Sequence, residues 1–220
     1  MGEMITFERP DGQQTNGYLV EVSDDAPGIV VIQEWWGLND QIKGVADHLC
    51  EYGFNTLVPD LYKGKVTVEA EEASHMMQNL DFADAATQDI RGALQYLKRG
   101  GQKSGLIGFC MGGALTILTA VHTQEPDAAV PWYGVPPEEY GDTRTIKIPL
   151  QGHFALEDTF FAPAQVDALE ARLKEGDVTH EIYRYQAPHA FGNETGPNYD
   201  ADATNRAWER STEFFSKHLK

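Results

Sequence analysis

Apolar residues along this chain follow two spacings that alternate from one segment to the next. A β-branched run over residues 28–32 is typical of a strand buried on both faces. Residues 40–52 carry apolar side chains three or four positions apart, which is the spacing of an amphipathic helix, and Gly53 ends it. The same spacings predict further strands over residues 54–59, 104–109, 128–133, 148–151 and 179–185, and further helices over residues 68–77, 84–98, 112–122, 165–174 and 208–219.

Strands that alternate with helices build βαβ units, in which successive strands run parallel and the helices cover the sheet. The pattern therefore predicts an α/β fold of three layers, with a mostly parallel central sheet and helices on both faces. No internal repeat, linker or low-complexity tract interrupts the 220 residues. Since domains run to about 100–200 residues, and somewhat more in α/β folds, we expect a single domain over residues 1–220.

The charge balance narrows the choice of partners. Acidic residues number 34 against 17 basic ones, which gives a net charge of −17. Nucleic acids and anionic membrane surfaces are bound through lysine and arginine, so we expect neither as a partner. The chain has two cysteines, no signal-peptide pattern and no apolar stretch of about 20 residues. We therefore expect a cytoplasmic protein, with a monomer as the default state.

One glycine-rich segment carries a recognisable catalytic pattern. Residues 108–113 have the form Gly-x-nucleophile-x-Gly between a predicted strand and a predicted helix, with Cys110 at the centre. Such a turn presents the central side chain at the carboxyl end of the strand. The helix N-terminus there favours a thiolate and, later, an oxyanion near the Met111 N–H. The alternative is a structural cysteine in a tight turn, which is also how we interpret Cys50, because it lies within a predicted helix.

A thiol nucleophile needs a base, and the base needs an orienting acid. His189 lies in a loop after the last predicted strand, and His153, at another strand end, is its main rival. Asp158 follows the strand over residues 148–151, with the neighbouring Glu157 as the alternative acid. The chain order of nucleophile, acid and histidine is typical of α/β hydrolases.

Five segments together resemble the dienelactone hydrolase family, and the resemblance covers nearly the whole chain. They are residues 33–39, 58–62, 108–113, 133–134 and 188–191. The resemblance implies a compact α/β hydrolase fold with a mostly parallel sheet.

The same resemblance implies roles for particular residues. The implied catalytic triad consists of Cys110, Asp158 and His189. Glu34 would hold the resting thiol and accept its proton when the substrate arrives. The backbone N–H groups of Trp35 and Met111 would form the oxyanion hole.

The chain departs from the family where the substrate is expected to bind. Family members that open dienelactone grip its carboxylate with two arginines, one of them four residues after the histidine. Here that position is Asn193, and residues 66–77, where the other arginine is expected, contain none and are acidic. We therefore expect a substrate less anionic than dienelactone. The candidate substrate contacts are Trp36, Trp132, Tyr133 and Asn193, with a place in the core as the alternative for the three aromatic residues.

These observations predict a cysteine-nucleophile hydrolase of small lactones or activated esters that needs no cofactor. No HExxH motif or close His/Cys cluster indicates a metal site. One alternative is a broad-specificity esterase or thioesterase on the same fold. Another is a non-catalytic binding module of α/β hydrolase fold, in which cysteine, aspartate and histidine would not need to end three separate strands.

Overall fold

Eight strands form one sheet in the computed structural model of the chain, which describes residues 2–220. The strands are β1 (Glu3–Glu8), β2 (Gln14–Val20), β3 (Gly28–Ile32), β4 (Asn55–Pro59), β5 (Ser104–Phe109), β6 (Ala128–Trp132), β7 (Leu150–Glu157) and β8 (His180–Pro188). Their order across the sheet is β1-β2-β4-β3-β5-β6-β7-β8. The first two strands are antiparallel to their neighbours and the other pairs are parallel.

Helices cover both faces of this sheet. They are α1 (Asp40–Glu51), α2 (Ala70–Gln78), α3 (Phe82–Asp84), α4 (Arg91–Leu97), α5 (Met111–His122), α6 (Pro163–Glu175) and α7 (Ala201–Leu219). One hydrophobic cluster packs α1 and α7 on one face, and a second packs α4, α5 and α6 on the other. The predicted three-layer α/β fold is confirmed. No helix within residues 2–220 combines the length and apolar character needed to cross a membrane.

The elements that the pattern did not predict lie at the edges of the fold. The hairpin of β1 and β2 was not predicted, because its strands are partly exposed and lack a continuous apolar run. Helix α7 begins seven residues before the predicted start at residue 208, since the Asp200 side chain accepts the Ala203 N–H and caps it. A π-helical segment, Ala85–Ile90, joins α3 to α4 where one continuous helix was predicted.

A buried ion cluster fastens the end of β1 to the π-helical segment. The Arg9 guanidinium, 8% exposed, lies 2.8 Å from carboxylate oxygens of both Asp11 and Asp84. Its Nη1 is 3.3 Å from Oδ1 of Asp89, and Lys63 Nζ is 2.8 Å from the same oxygen. Asp89 is almost fully buried, and these two cations are its ion-pair partners.

Replacing Arg9 by methionine should lower the free energy of unfolding by about 3 kcal/mol, because the buried Asp89 carboxylate loses one of its two cations. Urea denaturation measures this change. Arg99→Met is the matched control: Arg99 pairs with Glu21 where both side chains are exposed, so its loss should cost less than about 1 kcal/mol. Equal losses in the two variants would contradict a structural role for the cluster.

Candidate active site

The turn between β5 and α5 places Cys110 in a conformation that non-glycine residues rarely adopt. Its φ is 55° and its ψ is −117°. The turn closes because the flanking glycines have no side chains: a Cβ on Gly108 would collide with the Gly112 carbonyl, and one on Gly112 would collide with the Ile32 carbonyl. The turn predicted for residues 108–113 is therefore present, and Cys110 stands at the carboxyl end of β5.

Three loops bring Cys110, His189 and Asp158 together at this edge of the sheet. His189 Nε2 lies 3.2 Å from Cys110 Sγ, and His189 Nδ1 lies 2.7 Å from Oδ2 of Asp158. The other oxygen of Asp158 accepts the backbone N–H groups of Phe160 and Phe161 at 2.8 and 2.9 Å. The carboxylate is thus held by the backbone on one side while it orients the imidazole on the other.

The residues considered as alternatives for the histidine, the acid and the cysteine do not take part in this arrangement. His153 is fully buried and shares hydrogen bonds with Tyr185 and Ser211, and burial lowers its pKa to about 3, so it is neutral. Glu157 is exposed and accepts a hydrogen bond from Gln186. Cys50 lies within α1, with its sulfur near the Thr56 hydroxyl.

Glu34 is a buried carboxylate that forms no salt bridge with any of residues 2–220. Its Oε2 accepts the Asn193 side-chain amide at 2.8 Å, and its Oε1 accepts the Tyr133 hydroxyl at 3.3 Å. Burial raises its pKa, and these two hydrogen bonds lower it in part. The resemblance implied that Glu34 holds the resting thiol, whereas the structure places the thiol at hydrogen-bond distance from His189.

The surroundings of Cys110 favour the protonated thiol. Burial raises its pKa well above the usual range of a cysteine, and the negative charge of Glu34 raises it further. The Met111 backbone N–H at the start of α5 lowers it, which is the effect predicted from the helix N-terminus. Because burial is the larger effect, the pKa shift favours a neutral Cys110 thiol, which is the resting form that the resemblance implied, over the thiolate that the helix N-terminus favours.

The resemblance implied that the backbone N–H groups of Trp35 and Met111 form an oxyanion hole. Met111 directly follows Cys110, and Trp35 lines the same cavity. Within residues 2–220, neither N–H donates to a backbone carbonyl in a turn, loop or cap, and the Met111 N–H interacts with the Cys110 sulfur. A tetrahedral oxyanion requires a pair of donors of this kind.

The thiol opens onto a cavity of about 450 Å³ with mainly apolar walls. Aromatic and aliphatic side chains form most of the lining, and they are Trp35, Trp36, Met77, Phe160, Phe161, Ala190 and Pro197. Glu34, Asn193 and His189 supply polar groups, and no lysine or arginine of the described chain lines it. No group of three metal-ligating side chains occurs among residues 2–220 either.

The predicted substrate contacts divide between this cavity and the core. Trp36 and Asn193 line the cavity as expected. Trp132 does not: it is fully buried and packs against the rings of Phe109 and Phe191, so its prediction as a substrate contact is wrong. Tyr133 also lies outside the lining, but its hydroxyl donates to Glu34 and its ring centre lies 5.4 Å from that of His189.

Sequence reasoning missed the roles of Phe160, Phe161 and helix α2 in the lining. Phe160 and Phe161 lie two and three residues after Asp158 in the sequence, and that nearness was the available signal. Helix α2 contributes Ser74 and Met77. Its amphipathic pattern shows that one face is buried but not that the face covers a cavity.

Known proteins resemble this chain in sequence, and solved structures resemble it in fold. "Protein usf" of Aquifex pyrophilus is 30% identical over 100% of both chains, and a "Putative carboxymethylenebutenolidase" of Aquifex aeolicus is 31% identical over the same share. Among solved structures, a dienelactone hydrolase-like promiscuous phosphotriesterase from metagenomic libraries is 26% identical, with a TM-score of 0.85 over 100% of this chain and 99% of that one. An esterase of Pyrococcus furiosus shares the fold at 17% identity, with a TM-score of 0.74 over 100% of this chain and 93% of that one.

The sequence model of the Dienelactone hydrolase family matches residues 15–219, which is nearly the whole chain. The chain therefore belongs to the dienelactone hydrolase family, a family of hydrolases with the α/β hydrolase fold.

Proposed function

We propose that the protein hydrolyses small neutral lactones and activated esters with Cys110 as the nucleophile. The observation that carries this proposal is the unbroken chain of contacts from Asp158 through His189 to Cys110 at the wall of an apolar cavity. The arrangement meets the requirement of a nucleophile within reach of its base and of a base oriented by an acid.

In the proposed reaction His189 Nε2 takes the thiol proton while Cys110 Sγ bonds to the carbonyl carbon. The carbonyl oxygen becomes an oxyanion that accepts the N–H groups of Trp35 and Met111. The carbon–oxygen bond to the leaving group then breaks, and the leaving oxygen takes the proton from His189. In the second half, His189 removes a proton from water as the water attacks the thioester, and the proton returns to Cys110 as the acid product leaves.

Thiol chemistry limits which esters suit this site. A tetrahedral intermediate expels its better leaving group, and a thiolate leaves more readily than an alkoxide. Enol and phenol leaving groups compete better with the thiolate, so enol lactones and aryl esters are the substrates that we propose.

The charges around the cavity favour a neutral substrate. Its lining within the described chain holds no cation, and the buried Glu34 carboxylate would repel an anion. Two cations that are candidates to replace the absent arginines form ion pairs elsewhere. Lys63 binds Asp89, and Arg144 binds Asp142.

A broader esterase or thioesterase activity is the second candidate. The observation that favours it is the apolar lining, which offers few polar groups that would select one acyl or leaving group. A similar solved structure is that of a promiscuous phosphotriesterase, so neutral aryl phosphotriesters belong in the same substrate panel. A non-catalytic binding module remains the alternative from another class, and it would turn over none of these compounds.

Cys110→Ala should abolish turnover of aryl esters, because the atom that forms the covalent bond is removed. Intact-protein mass spectrometry after mixing with a slow aryl ester should show one acyl group on Cys110 in the unmodified protein. Cys110→Ser should retain little activity, since a hydroxyl needs a stronger base. The control Cys50→Ala should react normally, and an adduct on Cys50 or full activity of Cys110→Ala would contradict the proposal.

Glu34→Gln should make Cys110 more reactive toward iodoacetamide at a given pH. The negative charge of Glu34 raises the pKa of the thiol, so its removal lowers that pKa and moves the alkylation profile toward lower pH. Ester turnover should nevertheless fall, by about tenfold for the loss of about 1.4 kcal/mol of stabilisation of the His189 imidazolium. An alkylation profile that does not move would show that Glu34 carries no charge beside the thiol.

Neutral aryl esters and lactones should have a kcat/KM at least about tenfold above that of carboxylated analogues, because the charged hydrogen bonds that would hold a carboxylate are absent. The comparison is made at low and high salt, since long-range repulsion is screened and a missing binding partner is not. If a carboxylated dienelactone is the better substrate at both salt concentrations, a cation not present in the lining binds it, and our account of the cavity is wrong.

A further inference from the structure

Two pairs of neighbouring aromatic residues line the cavity, Trp35 with Trp36 and Phe160 with Phe161. The second pair adjoins His189. The Phe160 ring centre lies 5.0 Å from that of His189 and 6.3 Å from that of Trp35. Phe161 lies on the same imidazole, at 5.6 Å. Although Phe160 lines the cavity, it is 63% exposed, so much of its ring faces open space.

We propose that Phe160 binds the leaving group and makes the site selective for esters and lactones whose leaving group is flat and unsaturated. This assignment rests on the proposed function. The assignment adds to that function a location for each half of the substrate. The leaving oxygen and the ring attached to it lie against Phe160, and the site selects among substrates by this leaving group.

The position of the leaving group follows from the path of the proton. The imidazole that receives the thiol proton must return it to the departing oxygen, so that oxygen has to lie within hydrogen-bond distance of His189 Nε2. The group attached to that oxygen then lies next to the rings beside the imidazole. Phe160 has the exposed ring surface there, while Phe161 is partly buried and packs against the hydrophobic core.

Backbone hydrogen bonds place Phe160 beside the reacting groups. The N–H groups of Phe160 and Phe161 both donate to Oδ1 of Asp158, whose other oxygen orients His189. One turn therefore positions the acid, the imidazole and the backbone that carries the two rings. An aromatic side chain has only two rotatable bonds, so it loses little conformational freedom when a second ring packs on it.

Packing between aromatic rings adds to the burial of apolar surface, and the sum amounts to about a tenfold change in affinity for one ring pair. A saturated leaving group also buries apolar surface against Phe160, but it makes no contact between aromatic rings. Loss of the Phe160 ring should therefore affect an aryl ester more than an alkyl ester of equal reactivity.

The test compares two acetate esters whose leaving groups have matched pKa values, one a phenol and the other a fluorinated alcohol. Phe160→Ala should lower kcat/KM about tenfold for the aryl ester, mainly through KM, and less than about twofold for the fluoroalkyl ester. Phe160→Tyr should restore the preference for the aryl ester, whereas Phe160→Leu should restore only part of it.

The matched control is Tyr140→Ala, which removes a half-exposed aromatic ring that does not line the cavity and should leave both esters unaffected. Urea denaturation of each variant checks that the fold is unchanged. An equal loss for both esters in Phe160→Ala, or no loss for either, would overturn the assignment. Mass spectrometry of Cys110 distinguishes a failure of the Phe160 assignment from a failure of the proposed function. If neither ester leaves an acyl group on Cys110, the proposed function is overturned, and the Phe160 assignment with it.

Discussion

The backbone turn at Cys110 is the constraint on which the geometry of the site depends. A non-glycine residue with φ of 55° is strained, and the strain persists because β5 and α5 are both buried in the sheet and its covering layer. The two glycines remove the side chains that would prevent β5, α5 and the end of β3 from meeting. The thiol then projects from the sheet edge where the loops after β7 and β8 deliver Asp158 and His189.

Burial is the second physical influence on the site, because it raises the pKa values of Cys110 and Glu34. It keeps the Cys110 thiol protonated and leaves Glu34 with two neutral hydrogen-bond donors, Asn193 and Tyr133, in place of a cation. Asn193 is itself oriented, because its carbonyl oxygen accepts both the N–H and the hydroxyl of Thr195, so its amide faces Glu34. The Glu34 carboxyl group thus has no cationic side chain against it, and the cavity lining of the described chain has no lysine or arginine to pair with the carboxylate of a substrate.

Asp158 also links the proposed catalytic triad to the proposed binding site of the leaving group. Asp158 uses one oxygen to orient His189 and the other to hold the turn that carries Phe160 and Phe161. The distance between the imidazole and the aromatic wall is therefore set by local backbone hydrogen bonds rather than by long flexible side chains. By contrast, the ion cluster around Arg9 stabilises the far edge of the sheet and touches none of these groups.

The sequence by itself determined the features that depend on neighbouring residues. Local patterns and spacing predict the alternation of strands and helices and the turn around Cys110. They also show that an acid follows β7 and that a histidine follows β8. Only the tertiary structure decided which groups meet. His189 reaches Cys110 across 79 residues while His153 is buried against Ser211, and Asn193 reaches Glu34 across 159 residues. It also placed Trp132 in the core and Trp36 in the cavity, because strand register and helix packing decide which face a side chain occupies, and neither is encoded in the few residues around it.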